Sequence, residues 1–129
     1  MERHVYATGT PWEPIVGYSR VVRVGPHVFV AGTTATNEAG EVIGSGDPHA
    51  QAEQVLVNIG HALERAGARF EHVVRTRIFV LDVAHWEAVG RAHGAVFRDI
   101  RPASTLVQVS ALVDPAMLVE IEVDAIIHD

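Results

Sequence analysis

The sequence predicts a single α+β domain over residues 1–129, a sheet covered on one face by two helices. Three observations predict it. Strand-like and helix-like segments follow one another as strands, helix, strand, helix, two strands, with no linker or repeat between them. Residues 47–67 carry a capped pattern of helical period. Residues 119–125 alternate strictly between apolar and acidic side chains, the period of a strand with one buried face.

Each element has a local cause. Gly9, Pro11, Pro14 and Gly17 surround Trp12 and Glu13, so this stretch reads as a loop. Tyr18 to Val24 and His27 to Ala31 read as two short strands around Gly25-Pro26, the second ended by Gly32-Thr33-Thr34. A turn at Asn37 to Gly40 and a connector at Gly44-Ser45-Gly46 follow. Asp47-Pro48 starts the first helix, because Asp accepts from free N–H groups and proline at the first position loses no bond. Ala52, Val55, Leu56, Ile59, Leu63 and Ala66 recur at helical spacing, and Gly67 ends the run. Val73 to Leu81 is a β-branched strand. Residues 83–97 form a second helix, capped by Asp82, with Trp86, Val89, His93, Val96 and Phe97 as its inner stripe. The segment 101–125 reads as two strands joined by a turn at Asp114-Pro115.

Two helices cover only one face of such a sheet. Val74, Ile78 and Val80 with Val119, Ile121 and Val123 suit that face. The other face mixes Arg75, Arg77, Phe79 and Leu81 with Glu120, Glu122 and Asp124. Either water covers it or symmetry mates do. Symmetry mates are the favoured reading, because they supply the acids with cationic partners and bury Phe79 and Leu81.

Charge and composition narrow the function classes. Sixteen acidic residues against ten basic ones give a net charge of −6, and all ten basic residues are arginines. An acidic chain is a poor phosphate binder, so no nucleic-acid partner is expected. The absence of cysteine removes disulfides, thiolate nucleophiles and Cys-zinc sites. The eight histidines are scattered without metal-ligand spacing, so no metal is assigned. Gly44-Ser45-Gly46 is not a dinucleotide fingerprint, and there is no Walker loop or Gly-x-Ser-x-Gly elbow. The first residues lack a basic-then-apolar signal pattern, and no apolar run reaches about 18 residues. A cytoplasmic location without membrane contact is the expectation.

Glu120 is the strongest candidate for chemistry, since a carboxylate in a strand that otherwise reads as core needs a cause. An ion pair with Arg75, Arg77 or Arg101 is one cause. A general acid/base or water-positioning role in a cleft is the other. Tyr18, an aromatic with a polar tip, is either a cleft residue or a strand-edge packing residue. Trp12 and Glu13 either line a pocket or staple their loop.

The order of landmarks resembles the reactive-intermediate deaminase family, also called YjgF or Rid. They are Gly17-Tyr18-Ser19, Val28 to Gly32, Gly40-Glu41-Val42, Gln51, Asn58-Ile59, Ala66-Gly67-Ala68, Phe79 to Asp82, Pro102-Ala103 and Val119 to Ala125. The resemblance implies a chorismate-mutase-like fold assembled as a homotrimer, with three clefts between subunits. It also implies cofactor-free hydrolysis of enamines and imines such as 2-iminobutanoate to keto acids and ammonia. Carried over, the cleft tyrosine falls on Tyr18 and the hydrolytic glutamate on Glu120. The family's serine position holds Ala31, beside Gly32 and Thr33. The arginine that grips the substrate carboxylate is replaced by Ser104, next to Thr105.

Three functions follow from that departure. The first is a cleft that binds or turns over a small metabolite other than a simple 2-imino acid. Glu120 is then the acid/base, and Tyr18, Thr33, Ser104 and Thr105 bind the ligand. The second is imine deamination with a substitute arginine, Arg101, Arg20 or Arg77. The third is a ligand sensor or partner-binding trimer without turnover.

Overall fold

The computed structural model describes residues 1–129. Six strands form one mixed sheet: β1 (Arg3–Tyr6), β2 (Val21–Val24), β3 (His27–Thr33), β4 (Val73–Val80), β5 (Ala103–Gln108) and β6 (Val119–Ile126). They lie in the order β1-β2-β3-β6-β4-β5. Three helices accompany them: α1 (Trp12–Val16), α2 (Pro48–Arg65) and α3 (Trp86–Phe97). No helix is long and apolar enough to cross a membrane.

The α2 pattern folds as read. Asp47 is extended, and its carboxylate accepts from the Ala50 N–H at 3.0 Å. Val55, Ile59 and Leu63 face the sheet with Val28, Val119, Ile121 and Val123, all essentially inaccessible to solvent. Gly67 then reverses the chain at φ 80°. Fully buried Gln51 ties this helix to two loops. Its amide donates to the carbonyls of Gly44 and Ala116 and accepts from the Leu118 N–H, and this fixes the entry into β6.

Four expectations change. First, the closing strands are not a hairpin. β5 runs parallel to β4 at the sheet edge, while β6 runs antiparallel between β3 and β4. Helix α3 is the crossover that a parallel β4–β5 pair requires. Second, Val74 does not face the helices. The register slips between Val73 and Arg75, so Val73 and Thr76 are both inward and Val74 is exposed. Third, Trp86 is 59% exposed rather than part of the inner stripe. Residues Val83–His85 form a 3₁₀ turn before α3, and Val89, Ala92 and Phe97 carry its burial. Fourth, the loop around Trp12 holds one helical turn, and strand β1 forms ahead of it on β2. The Tyr18–Val24 strand narrows to Val21–Val24.

Glu13 anchors this first loop. It is 4% exposed, and its carboxylate accepts from the hydroxyls and backbone N–H groups of both Thr8 and Thr10 at 2.6–3.2 Å. Burial alone raises its pKa, but these four bonds outweigh it and the net shift is downward. A depressed carboxyl pKa contributes stability above the ordinary value of 4.5, lost as the pH falls through the folded value. Replacing Glu13 by Gln is expected to cost about 2 kcal/mol at pH 7, since charge-assisted bonds to a buried group are removed. Denaturant unfolding at pH 7 and pH 3 checks it: the deficit shrinks at the lower pH.

Candidate functional site

The functional candidates gather where β3 meets β6. Val30 pairs with Val123 but Thr33 pairs with Ile121, so β3 spends one more residue than β6 over this step. The bulge falls on Ala31-Gly32. It re-aims the end of the strand, as bulges beside functional clefts do. Thr33 is buried, and its hydroxyl donates to the Ala31 carbonyl at 2.8 Å, which holds the bulge closed.

Arg20, just before β2, fills the space beneath. It is 8% exposed, and its guanidinium donates to the carbonyls of Gly32 and Ala31 and to the Thr33 hydroxyl. Its other terminal nitrogen lies 3.4 Å from the Tyr18 hydroxyl, and the guanidinium sits 5.7 Å from that ring's centre. The Glu13-anchored loop delivers Tyr18 to this position.

Glu120 enters the same site from β6. It is half-buried, opposite Phe79 of β4, on the face turned away from the helices. Gly32 makes its place: a Cβ there would overlap Glu120 Oε2 and lie 3.0 Å from Cδ. Burial raises the Glu120 pKa. The Arg20 charge lowers it in part, and Glu122 raises it further, for a net upward shift.

The three acids of β6 therefore differ. Arg77 pairs with Glu122 at 3.4 Å and Asp124 at 3.1 Å. It does not pair with Glu120, and neither do Arg75 or Arg101. The ion-pair explanation with those three arginines is replaced by proximity to Arg20, which precedes β2 and meets the site at the bulge of β3. The remaining open face is partly apolar, with Phe29 46% and Val107 43% exposed.

The residues assigned to the arginine region lie elsewhere in the subunit. Ser104 pairs in register with inward-facing Thr76, so it stands on the helix side of the sheet, whereas Glu120 stands on the other. Thr105 is exposed on the open face, in register with Arg77. Arg101 is exposed at φ 59°, in a shallow groove with Val74, Asp99 and His128. Within one chain, Tyr18, Ala31, Gly32, Thr33 and Glu120 come together, and Ser104, Thr105 and Arg101 do not join them.

Sequence reasoning missed the partner of His93. Its Nε2 lies 2.9 Å from the Thr76 hydroxyl, which in turn lies 2.7 Å from Ser104 Oγ. The signal was present: a histidine at a core-facing position of a helix calls for a polar partner on the facing strand. No group of three or more His, Cys, Asp or Glu side chains converges as a metal cluster would.

A family model described as Endoribonuclease L-PSP matches residues 8–127. The chain is similar to the 3-aminoacrylate deaminase RutC of Acinetobacter baylyi, 35% identical over 113 residues that cover 88% of each chain. It is 39% identical over 119 residues to an uncharacterised protein of Streptomyces coelicolor, covering 92% of this chain and 87% of that one. Among solved structures, Rv2704 of Mycobacterium tuberculosis, described as a member of the YjgF/YER057c/UK114 family, superposes with a TM-score of 0.87. Identity there is 46% over 98% of this chain and 100% of that one.

Proposed function

Because this chain belongs to the YjgF/Rid family, that of the Endoribonuclease L-PSP model, we propose that it assembles as a homotrimer whose inter-subunit clefts bind and hydrolyse a small metabolite, with Glu120 as acid/base. One observation carries the reading. Glu120 is a half-buried carboxyl without an ion-pair partner, its pKa pushed up by burial, seated on Gly32 beside Arg20 and Tyr18. A raised carboxyl pKa brings a general base closer to working pH. Glu120 takes a proton from water as the water oxygen adds to the C=N carbon, and gives it to the nitrogen. It then moves the proton of the new hydroxyl to the same nitrogen as the C–N bond breaks, leaving a C=O group and ammonia. Tyr18 orients the ligand, while buried Thr33, expected from the sequence to bind it, instead holds the bulge on which Glu120 rests, and no cofactor takes part.

The trimer reading rests on two further points. Ser104 and Glu120 stand on opposite faces of one sheet, so they share a cleft only when different copies supply them. The open face also leaves Phe29 and Val107 to be covered. Arg101 and Thr105 then belong to the edge that one subunit offers its neighbour. A cytoplasmic location and a small-molecule partner fit this reading. RNA does not, given the charge of −6.

The substrate is an uncharged or weakly anionic compound rather than a simple 2-imino acid, because Ser104 replaces the carboxylate clamp. Freshly generated 2-iminobutanoate is the discriminating probe. The wild-type chain is expected to leave keto-acid formation at the buffer rate. Replacing Ser104 by Arg is expected to raise kcat/KM for that imine roughly tenfold or more, since a desolvated guanidinium–carboxylate contact is worth on the order of 2–5 kcal/mol. Acceleration by the wild type would instead favour a second reading, deamination with Arg20 supplying the charge. The position of Arg20 beside Glu120 and Tyr18 is what makes that reading concrete. In that case the activity disappears in Arg20→Met.

A further inference from the structure

The Ser104–Thr76–His93 cluster lies on the other side of the sheet from Glu120, and the proposed chemistry uses neither Thr76 nor His93. Thr76 is fully buried, while Ser104 is exposed on edge strand β5. The His93 ring is half-buried between Thr76 and Phe97, whose ring centre lies 4.6 Å away. A continuous line of short contacts thus runs from a half-buried imidazole through an inaccessible hydroxyl to a solvent-facing one.

We propose that Ser104, Thr76 and His93 form a hydroxyl relay in which the imidazole sets the hydrogen-bond polarity that Ser104 presents, making this edge of β5 a subsite for an uncharged carboxamide. The relay itself is independent of the cleft reading, and only its ligand rests on that reading.

The argument is a count of protons. Thr76 has one hydroxyl proton and two partners. When it donates to Ser104, it accepts from His93 Nε2–H, and the Ser104 proton points outward. When it donates to His93 Nε2, it accepts from Ser104, which then shows only lone pairs to a ligand. A neutral ring permits both arrangements, whereas a protonated ring permits only the first. Burial lowers the His93 pKa and favours the neutral ring.

No facing charge contests this. On α3, Arg91 is paired with Glu87 on the exposed side. On β4, Arg75 and Arg77 belong to the open face, as their registry with Asp124 and Glu122 shows. Residues 103–108 of β5 carry no charge, and α2 turns its apolar stripe inward. A carboxamide, with both N–H and C=O, meets either polarity of Ser104. A carboxylate only accepts, and so meets one.

Nitrogen-15 NMR of the imidazole rings in the full chain tests the relay without any ligand. In Ser104→Ala, the Thr76 proton has only His93 to go to. Nε2 is then expected to move toward a pyridine-type resonance as the Nδ1–H tautomer takes over. Thr76→Ser should keep the wild-type ring pattern and Thr76→Val should lose it. An unchanged His93 in both Ser104→Ala and Thr76→Val overturns the relay. For the subsite, the probes are 2-oxobutanamide and 2-oxobutanoate, titrated in parallel. The amide is expected to bind several-fold more tightly and to perturb the His93 ring, and Ser104→Ala is expected to abolish that preference. Equal binding, acid preference or a silent ring overturns the subsite. The Gly32 amide separates the two failures: if it responds to the probes, only the subsite falls, and if it too is silent, the cleft reading falls with it.

Discussion

Replacing Glu120 by Gln is expected to lower kcat by about 10²–10⁴-fold on whatever substrate the wild type hydrolyses, the usual contribution of a positioned general acid/base. Gln preserves the shape of the side chain over Gly32 and its place opposite Phe79, so the loss reports proton transfer rather than packing. The pH profile is the sharper measurement. A base works only when ionised, so the wild-type rate falls as the pH drops through the raised Glu120 pKa, and the variant loses that limb. Stability moves the other way. A folded pKa above the ordinary 4.5 means the folded chain holds its proton more tightly than the unfolded chain does. Stability is therefore lost as the pH rises from 4.5 through the folded value. The Gln variant, which has no charge to bury, is expected to be the more stable protein at pH 7 and to lose that advantage at pH 4. Turnover and ligand affinity that both survive Glu120→Gln unchanged would remove the catalytic reading and leave a sensor or partner-binding trimer.

The acidic alternation of β6 was legible as sequence because a strand with one buried face imposes a period of two on its side chains, whatever its neighbours are. The identity of those neighbours was not. Pairing β6 with β3 and β4, and sending β5 to the edge, depends on α3 crossing over the sheet. Nothing local in residues 101–118 distinguishes that from a hairpin. The slip at Val74 is equally hidden, since one unpaired residue reverses the face of everything before it without changing composition. The same holds for the site. Tyr18, Gly32 and Glu120 could be named from their order along the chain. That Arg20 rather than Arg75, Arg77 or Arg101 sits beside the carboxyl follows from a bulge at Ala31-Gly32 that no periodicity announces. Ser104 could be named from its place after Pro102-Ala103, but its position on the opposite face from Glu120 depends on the parallel register with Thr76.

The bulge makes the site a matter of backbone geometry, and Gly32 is where that geometry can be tested. Replacing Gly32 by Ala is expected to abolish most activity while leaving the fold nearly as stable as before. The two effects separate for a structural reason. The backbone at Gly32 does not use the left-handed region, so an alanine is not strained there. The three atoms nearest its Cβ all belong to the Glu120 side chain, with Cδ at 3.0 Å and Cγ at 3.3 Å. A flexible carboxyl can rotate away more cheaply than a strand can move, so the methyl group displaces the proposed base instead of the sheet. Rotation carries the carboxyl out toward water, which removes the burial that raised its pKa. The acidic limb of the pH profile should therefore shift downward toward the ordinary glutamate range in whatever activity remains. A loss of kcat approaching that of Glu120→Gln, with a melting temperature within a few degrees of wild type, is the expected result. A large fall in melting temperature would mean that the bulge itself gave way. An unchanged rate would mean that Glu120 does its work, if any, from another rotamer, and that its seat over Gly32 is incidental.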